Sequence, residues 1–264
     1  MTVQTAPIAV SRGRRIGFWV AMGISLALVL FGLAEILFYG VVGWLDDSTI
    51  EQFFPGDAIH RFHGLGHSLV TWLLLASVAV QFWRPERRLA PAVYALIILC
   101  IYTLMDVFSG MFDPLEAVGI AALAFMVWLH PGRDASSVKP IRLRAVVFAA
   151  PLVVGGVVIA IMGLVEQYSA PAGEPHAVIG HYGDMAALAL SIAIGALIGA
   201  TSLAGSRVIA GLTVLAATYI GVASIVYPGY SSSPGATVGL LTILAGALYA
   251  WAARARPSAV RAQR

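Results

Sequence analysis

Five of the six histidines stand in two short segments, His60, His63 and His67 in one and His176 and His181 in the other. On a helix His63 and His67 share a face at i and i+4, with His60 three residues before His63, and that spacing can hold one metal ion. His181 and Asp184, at i and i+3, can ligate together, or the carboxylate can orient the imidazole from behind. Imidazole and carboxylate suit zinc, copper or iron, and two histidines facing one another could bind haem iron axially. His63, His67 and His181 are therefore the candidate ligands of a transition metal or haem. Glu35, Asp106, Glu166 and Asp184 are candidate supporting or proton-exchanging acids. His60 and His176 read as belonging to aqueous loops and rank lower, and His130, beside Pro131, reads as an interfacial residue on the opposite side. Glu35 is the acid lying most clearly inside an apolar stretch, and its partner would have to come from another helix, most simply His63 or His67. The plain alternative for all of them is a hydrogen bond that joins two membrane helices.

Several chemistries lack their signatures. No glutamate follows the first histidine as in zincins, no Cys-x-x-Cys-His haem attachment occurs, and no glycine-rich nucleotide loop follows a strand. Neither Ser68 nor Ser109 sits in a nucleophile elbow, so the sequence supports no covalent mechanism.

The elements that must position these residues are membrane helices. The 264-residue chain is 59% hydrophobic and 11% charged, with a mean hydropathy of +0.88, whereas a soluble domain carries roughly 25% charge. A span needs about 20 apolar residues to cross about 30 Å of hydrocarbon. Eight stretches qualify, near Ile16 to Val42, Gly64 to Trp83, Ala90 to Ser109, Leu115 to His130, Ala145 to Val165, His181 to Leu203, Val208 to Tyr227 and Ala236 to Trp251. The fourth is the shortest. The apolar stretch behind Arg12, Arg14 and Arg15 is too long for a signal peptide and reads as a retained first helix. Cys100 is the single cysteine, so an internal disulfide is excluded.

Basic residues alternate between the loops. Arg12, Arg14, Arg15, Arg84, Arg87, Arg88, Arg133, Lys139, Arg142, Arg144, Arg207, Arg254, Arg256, Arg261 and Arg264 all fall on one side, and Arg61 alone falls on the other. By the positive-inside rule both termini are cytoplasmic, in the plasma (inner) membrane. The opposite loops hold Asp46, Asp47, Glu51, Asp57, Asp113, Glu116 and Glu174. Clusters of this kind read as topology signals and imply no nucleic-acid partner. The partner is the bilayer, with a small molecule or lipid as the ligand class. Trp44, Phe53, Phe54, Trp83, Trp128, Tyr227, Tyr230 and Trp251 fall near span ends, as headgroup anchors do.

The first four spans are echoed by the last four. Gly32-Leu33-Ala34-Glu35 matches Gly163-Leu164-Val165-Glu166, and His63 matches His181. In the same register Tyr102 meets Tyr219, Gly110 meets Gly229, and Pro114 with Gly119 meets Pro234 with Gly239. The expectation is an all-α integral membrane protein in two parallel four-helix repeats, related by an axis along the membrane normal. Residues 16–131 form the first repeat and 145–253 the second, with a tail at 1–15, a linker at 132–144 and a basic tail at 254–264. Four-helix halves with histidines near span ends resemble the general plan of haem A synthases and copper-resistance membrane proteins, whose signature motifs are absent here. Three functions fit: metal or haem binding for redox or metal handling, proton-coupled transport of a small solute through Glu35 and Glu166, and an enzyme acting on a lipid or quinone.

Overall fold

The computed structural model describes residues 11–134 and 141–254. Lys139, Arg256, Arg261 and Arg264, most of the basic tail and part of the linker lie outside the described residues. Among the described residues the fold is all helical. Its helices are α1 (Arg12–Gly32), α2 (Ala34–Val42), α3 (Asp47–Phe53), α4 (Arg61–Ala79), α5 (Leu89–Ser109), α6 (Pro114–Trp128), α7 (Leu143–Ser169), α8 (Pro175–Val178), α9 (His181–Ala200), α10 (Ser206–Val226) and α11 (Gly235–Arg254).

Seven of the helical segments described are long and apolar enough to cross a membrane, which makes this a membrane protein by length and composition. The fourth expected span, α6, has 15 residues, about 22 Å of helix. The first expected span is broken. At Leu33 the backbone leaves the helical region (φ −123°, ψ 20°) and restarts as α2. No proline causes this break. Gly32 precedes it, and a glycine lowers the cost of interrupting the ladder.

α4 and α9 are the most enclosed spans, and α1, α7 and α11 the most peripheral. α4 and α9 pack on each other, α5 packs on α9, and α10 packs on α4. Outside this centre α1 packs on α6 and α2 on α4, while α7 packs on α9 and α11. Small residues permit the close approaches. A Cβ on Gly156 of α7 would stand 2.6 Å from the Ala189 carbonyl oxygen of α9, and one on Gly163 would stand 2.8 Å from that of Tyr182. In lipid, where apolar surface gains little from meeting other apolar surface, such contact is a main source of helix association.

The basic end is tied by side chains that satisfy helix termini. Arg142 gives hydrogen bonds to the carbonyls of Gly199, Thr201 (3.2 Å) and Ala253 (3.0 Å), joining the start of α7 to the ends of α9 and α11. Those are the carbonyls a helix leaves unpaired at its C-terminus. His130, expected at the interface, is fully buried. Its Nε2 lies 3.1 Å from Gln81 Oε1 and its ring packs edge-on against Phe18. The reason is local: Arg14 of α1 donates to the Leu129 and His130 carbonyls and pulls the chain after α6 against α1 and α4.

Candidate functional site

At the acidic end the chain folds back over the starts of α4 and α9. Asp46 caps α3 by accepting from the Thr49 amide, and Ser48 and Thr49 hydroxyls also donate to it. Those hydrogen bonds hold its carboxyl down to about 2. A 3₁₀ turn over Ala58–His60 then delivers the chain into α4. In the second half Glu174 caps α8 by accepting from the Ala177 amide at 2.7 Å, with Pro175 at the first helical position. α8 packs on both α7 and α9.

These two turns bring together four imidazoles. His60 lies 4.6 Å from His176 and 4.7 Å from His181 between ring centroids. His63 lies 4.8 Å from His176 and 5.1 Å from His181, the latter pair nearly parallel at 22°. His60, His63 and His176 are 7%, 1% and 9% exposed. His60 and His176 are therefore not the loop residues the sequence suggested. Short turns flanked by Pro and Gly look like solvated loop, whereas here each turn is packed under the neighbouring one.

The ring nitrogens are unevenly satisfied. His176 Nδ1 is 2.7 Å from Glu174 Oε1, and its Nε2 is buried without a partner. His60 Nδ1 and His181 Nδ1 are also buried and unpartnered. His63 Nε2 is 2.8 Å from the hydroxyl of Ser232, a residue in the left-handed conformation (φ 60°) in the loop before α11. Buried imidazole nitrogens without partners are costly, which makes three of them in one cluster informative. Partial burial raises the Glu174 carboxyl, but hydrogen bonds from the His176 ring and the Ala177 amide outweigh it and hold it below the ordinary glutamate value. Among the described residues, no three His, Cys, Asp or Glu side chains are already disposed to close on one ion. The imidazoles meet as packed rings.

His67 lies one turn along α4 from His63 and has other partners. Its Nε2 is 2.8 Å from the Tyr102 hydroxyl of α5, and its Nδ1 is 3.5 Å from Asp184 Oδ2 of α9. Asp184, 4% exposed, thus faces His67 and stands beside the imidazole cluster. Asp106, also buried, lines a cavity of about 420 Å³ together with His67, Tyr102, Glu116, His181 and Asp184.

Glu35 and Glu166 are not part of this arrangement. Both are exposed, and Glu35 meets neither His63 nor His67. Glu35 acts on Asp57, whose carboxyl is raised by burial and by Glu35 and Glu51, with His60 opposing. Arg61, the lone basic residue of this end, is buried, paired with Asp47 and covered by Tyr227 and Tyr230, with its guanidinium 4.9 and 5.6 Å from their ring centroids. Those tyrosines therefore enclose an arginine. Trp44, another expected anchor, donates its indole N–H to the Tyr219 hydroxyl at 2.9 Å.

Tyr102, Ser232 and the capping role of Glu174 escaped sequence reasoning. Ser231-Ser232-Ser233 between two Pro-Gly pairs was the one available signal for the serine loop. No protein-family model, curated protein or solved structure matches this chain.

Proposed function

We propose that the chain is a plasma-membrane protein whose outward-facing end binds one transition-metal ion through His60, His63, His176 and His181, for metal handling or redox chemistry. The observation that carries this reading is the packing of four imidazoles at 4.6 to 6.2 Å between centroids, three of them with a buried, unpartnered nitrogen. Two imidazoles sharing a tetrahedral ion, each nitrogen about 2.0 Å from it, also hold their centroids about 5 Å apart. Closing on one ion requires the rings to turn about their side-chain bonds from the packed arrangement, with His63 leaving the Ser232 hydroxyl. Glu174 on His176 Nδ1 supplies the outer carboxylate that fixes tautomer and ring orientation in many histidine–metal sites.

A bare ion fits better than haem. Bis-histidine ligation requires a porphyrin-wide slot between two imidazoles, and His63 and His181 stack at 5.1 Å with His60 and His176 packed around them. Nitrogen ligands without thiolate point to zinc or copper(II).

The outward placement follows from the arginine-rich loops at the other end. The two-repeat reading is supported by the contacts: α4 with α9 at the centre, α5 on α9 mirrored by α10 on α4, and α1 on α6 mirrored by α7 on α11. In that arrangement His63 and His181 are equivalents facing each other across the axis, and α6, though short, is the counterpart of α11.

The test is metal analysis and absorption spectroscopy on detergent-purified protein, comparing wild type with His63→Ala, His176→Ala, His181→Ala and His130→Gln. The expected result is near-stoichiometric zinc or copper in wild type and His130→Gln, with loss in the other three. Wild type that stays metal-free after incubation with zinc and copper(II), or retention in all three alanine variants, overturns the proposal.

A further inference from the structure

The cavity beneath the imidazoles has a shape and chemistry of its own. Its walls are Leu28 and Val29 of α1, Val70 and Leu74 of α4, and Ile98 and Leu123 of α5 and α6, and its polar end holds His67, Tyr102, Asp106, Glu116 and Asp184. The break at Leu33 shapes its mouth. α1 packs on α6, but past the break α2 leans on α4, and Gly32, Leu33 and Ile36 line the cavity opposite Met111 and Leu115. Gly32 is exposed, and a Cβ there would meet open space. Leu115 on the other lip is 58% exposed. The mouth therefore opens sideways, between the α1–α2 break and the start of α6, near the acidic end of the spans.

Charge limits what can enter. Four carboxyl-bearing residues, Asp106, Asp113, Glu116 and Asp184, line the cavity and no lysine or arginine does, so a phosphate headgroup would be left without a counter-charge. Glu116 Oε2 is buried without a partner on α6, and Asp184 on α9 meets His67 at 3.5 Å and the Tyr102 hydroxyl. Those are two hydrogen-bond acceptors in the wall of a cavity whose remaining lining is largely apolar. They suit a compact, uncharged ring bearing two hydroxyls and an apolar tail.

We propose that this cavity binds a membrane-dissolved quinol, its hydroxyls held between Glu116 and the His67–Asp184 pair and its tail leaving past Gly32. A volume of about 420 Å³ accommodates such a ring with the root of its tail, within the usual 300 to 1,000 Å³ of small-molecule sites. His181 belongs both to the wall of this cavity and to the imidazole cluster, so the two readings are separated with variants that leave His181 in place.

The experiment is native mass spectrometry of the full chain with a decyl-substituted benzoquinol, with phosphatidylglycerol as competitor and metal content read from the same samples. Wild type is expected to bind one quinol, Gly32→Trp and Glu116→Ala to bind at least tenfold more weakly, and phosphatidylglycerol not to displace it. Gly155→Trp, at a lipid-facing position of α7 where a Cβ also meets nothing, is expected to bind as wild type does. No binding to wild type, unchanged affinity in both Gly32→Trp and Glu116→Ala, or displacement by phosphatidylglycerol overturns the proposal. Quinol retained in metal-free protein counts against the metal site alone, and metal retained without quinol counts against the cavity alone.

Discussion

The Glu174 carboxylate has two tasks, capping α8 and holding His176 Nδ1, and they can be separated. Glu174→Gln keeps an acceptor oxygen for the Ala177 amide but weakens the charge-assisted bond to the ring. Zinc affinity measured by chelator competition is expected to fall about 10- to 100-fold, with thermal stability little changed. Asp46 offers a pH test in the same layer. Its folded value, near 2, lies below the ordinary 3.8, so its cap stabilises α3 above about pH 4 and is lost as pH falls toward 2. Protection of the Thr49 amide against hydrogen exchange, relative to its intrinsic rate, is expected to fall over that window in wild type and to stay flat in Asp46→Asn. At this scale helical spacing paired His63 with His67 and His181 with Asp184, whereas the structure sets His63 against His181 and turns His67 toward Asp184 and Tyr102. His60 and His176 were not legible, because nothing in a Pro- and Gly-flanked turn reveals what packs above it. Glu35 misled because α1 ends at Gly32: past the break α2 leans on α4 and leaves Glu35 exposed.

Between elements, the matching Gly32-Leu33-Ala34-Glu35 and Gly163-Leu164-Val165-Glu166 motifs play different parts. A Cβ on Gly163 would press 2.8 Å from the Tyr182 carbonyl oxygen, next to His181, whereas one on Gly32 meets nothing. Gly163→Ala is expected to cost about 1 to 3 kcal/mol and to weaken metal binding by shifting the start of α9. Gly32→Ala is expected to stay within about 0.5 kcal/mol. Thermal melts of both variants, with and without zinc, check this; equal melting temperatures would contradict the packing described for α7 and α9. Helix positions were readable because each long apolar run has a length fixed by the bilayer. The break at Leu33 was not, because an interruption without proline depends on what α2 meets on α4. At the basic end, His130→Ala would leave the buried Gln81 carbonyl oxygen short of its partner, a loss of about 1 to 3 kcal/mol, measurable as a lowered melting temperature with metal content intact.

For the whole molecule, the distribution of arginine predicts which end meets which compartment. In a Cys100→Ala background, Ser48→Cys is expected to react with a membrane-impermeant maleimide in intact cells and Ser11→Cys only after lysis; the reverse pattern would invert the orientation. Composition and charge alternation were enough to recognise a membrane bundle. The meeting of His60 with His176 and of His67 with Asp184 depends on how α4 docks against α9, which no local pattern encodes. Arg142, clasped by carbonyls of Gly199, Thr201 and Ala253, adds a feature of timing. The ribosome makes this arginine before any of its acceptors, and Ala253, at the far end of α11, arrives 111 residues later. Until α11 is inserted the guanidinium lacks its full set of carbonyls, so the second half of the bundle is locked at its base only once that helix is in place.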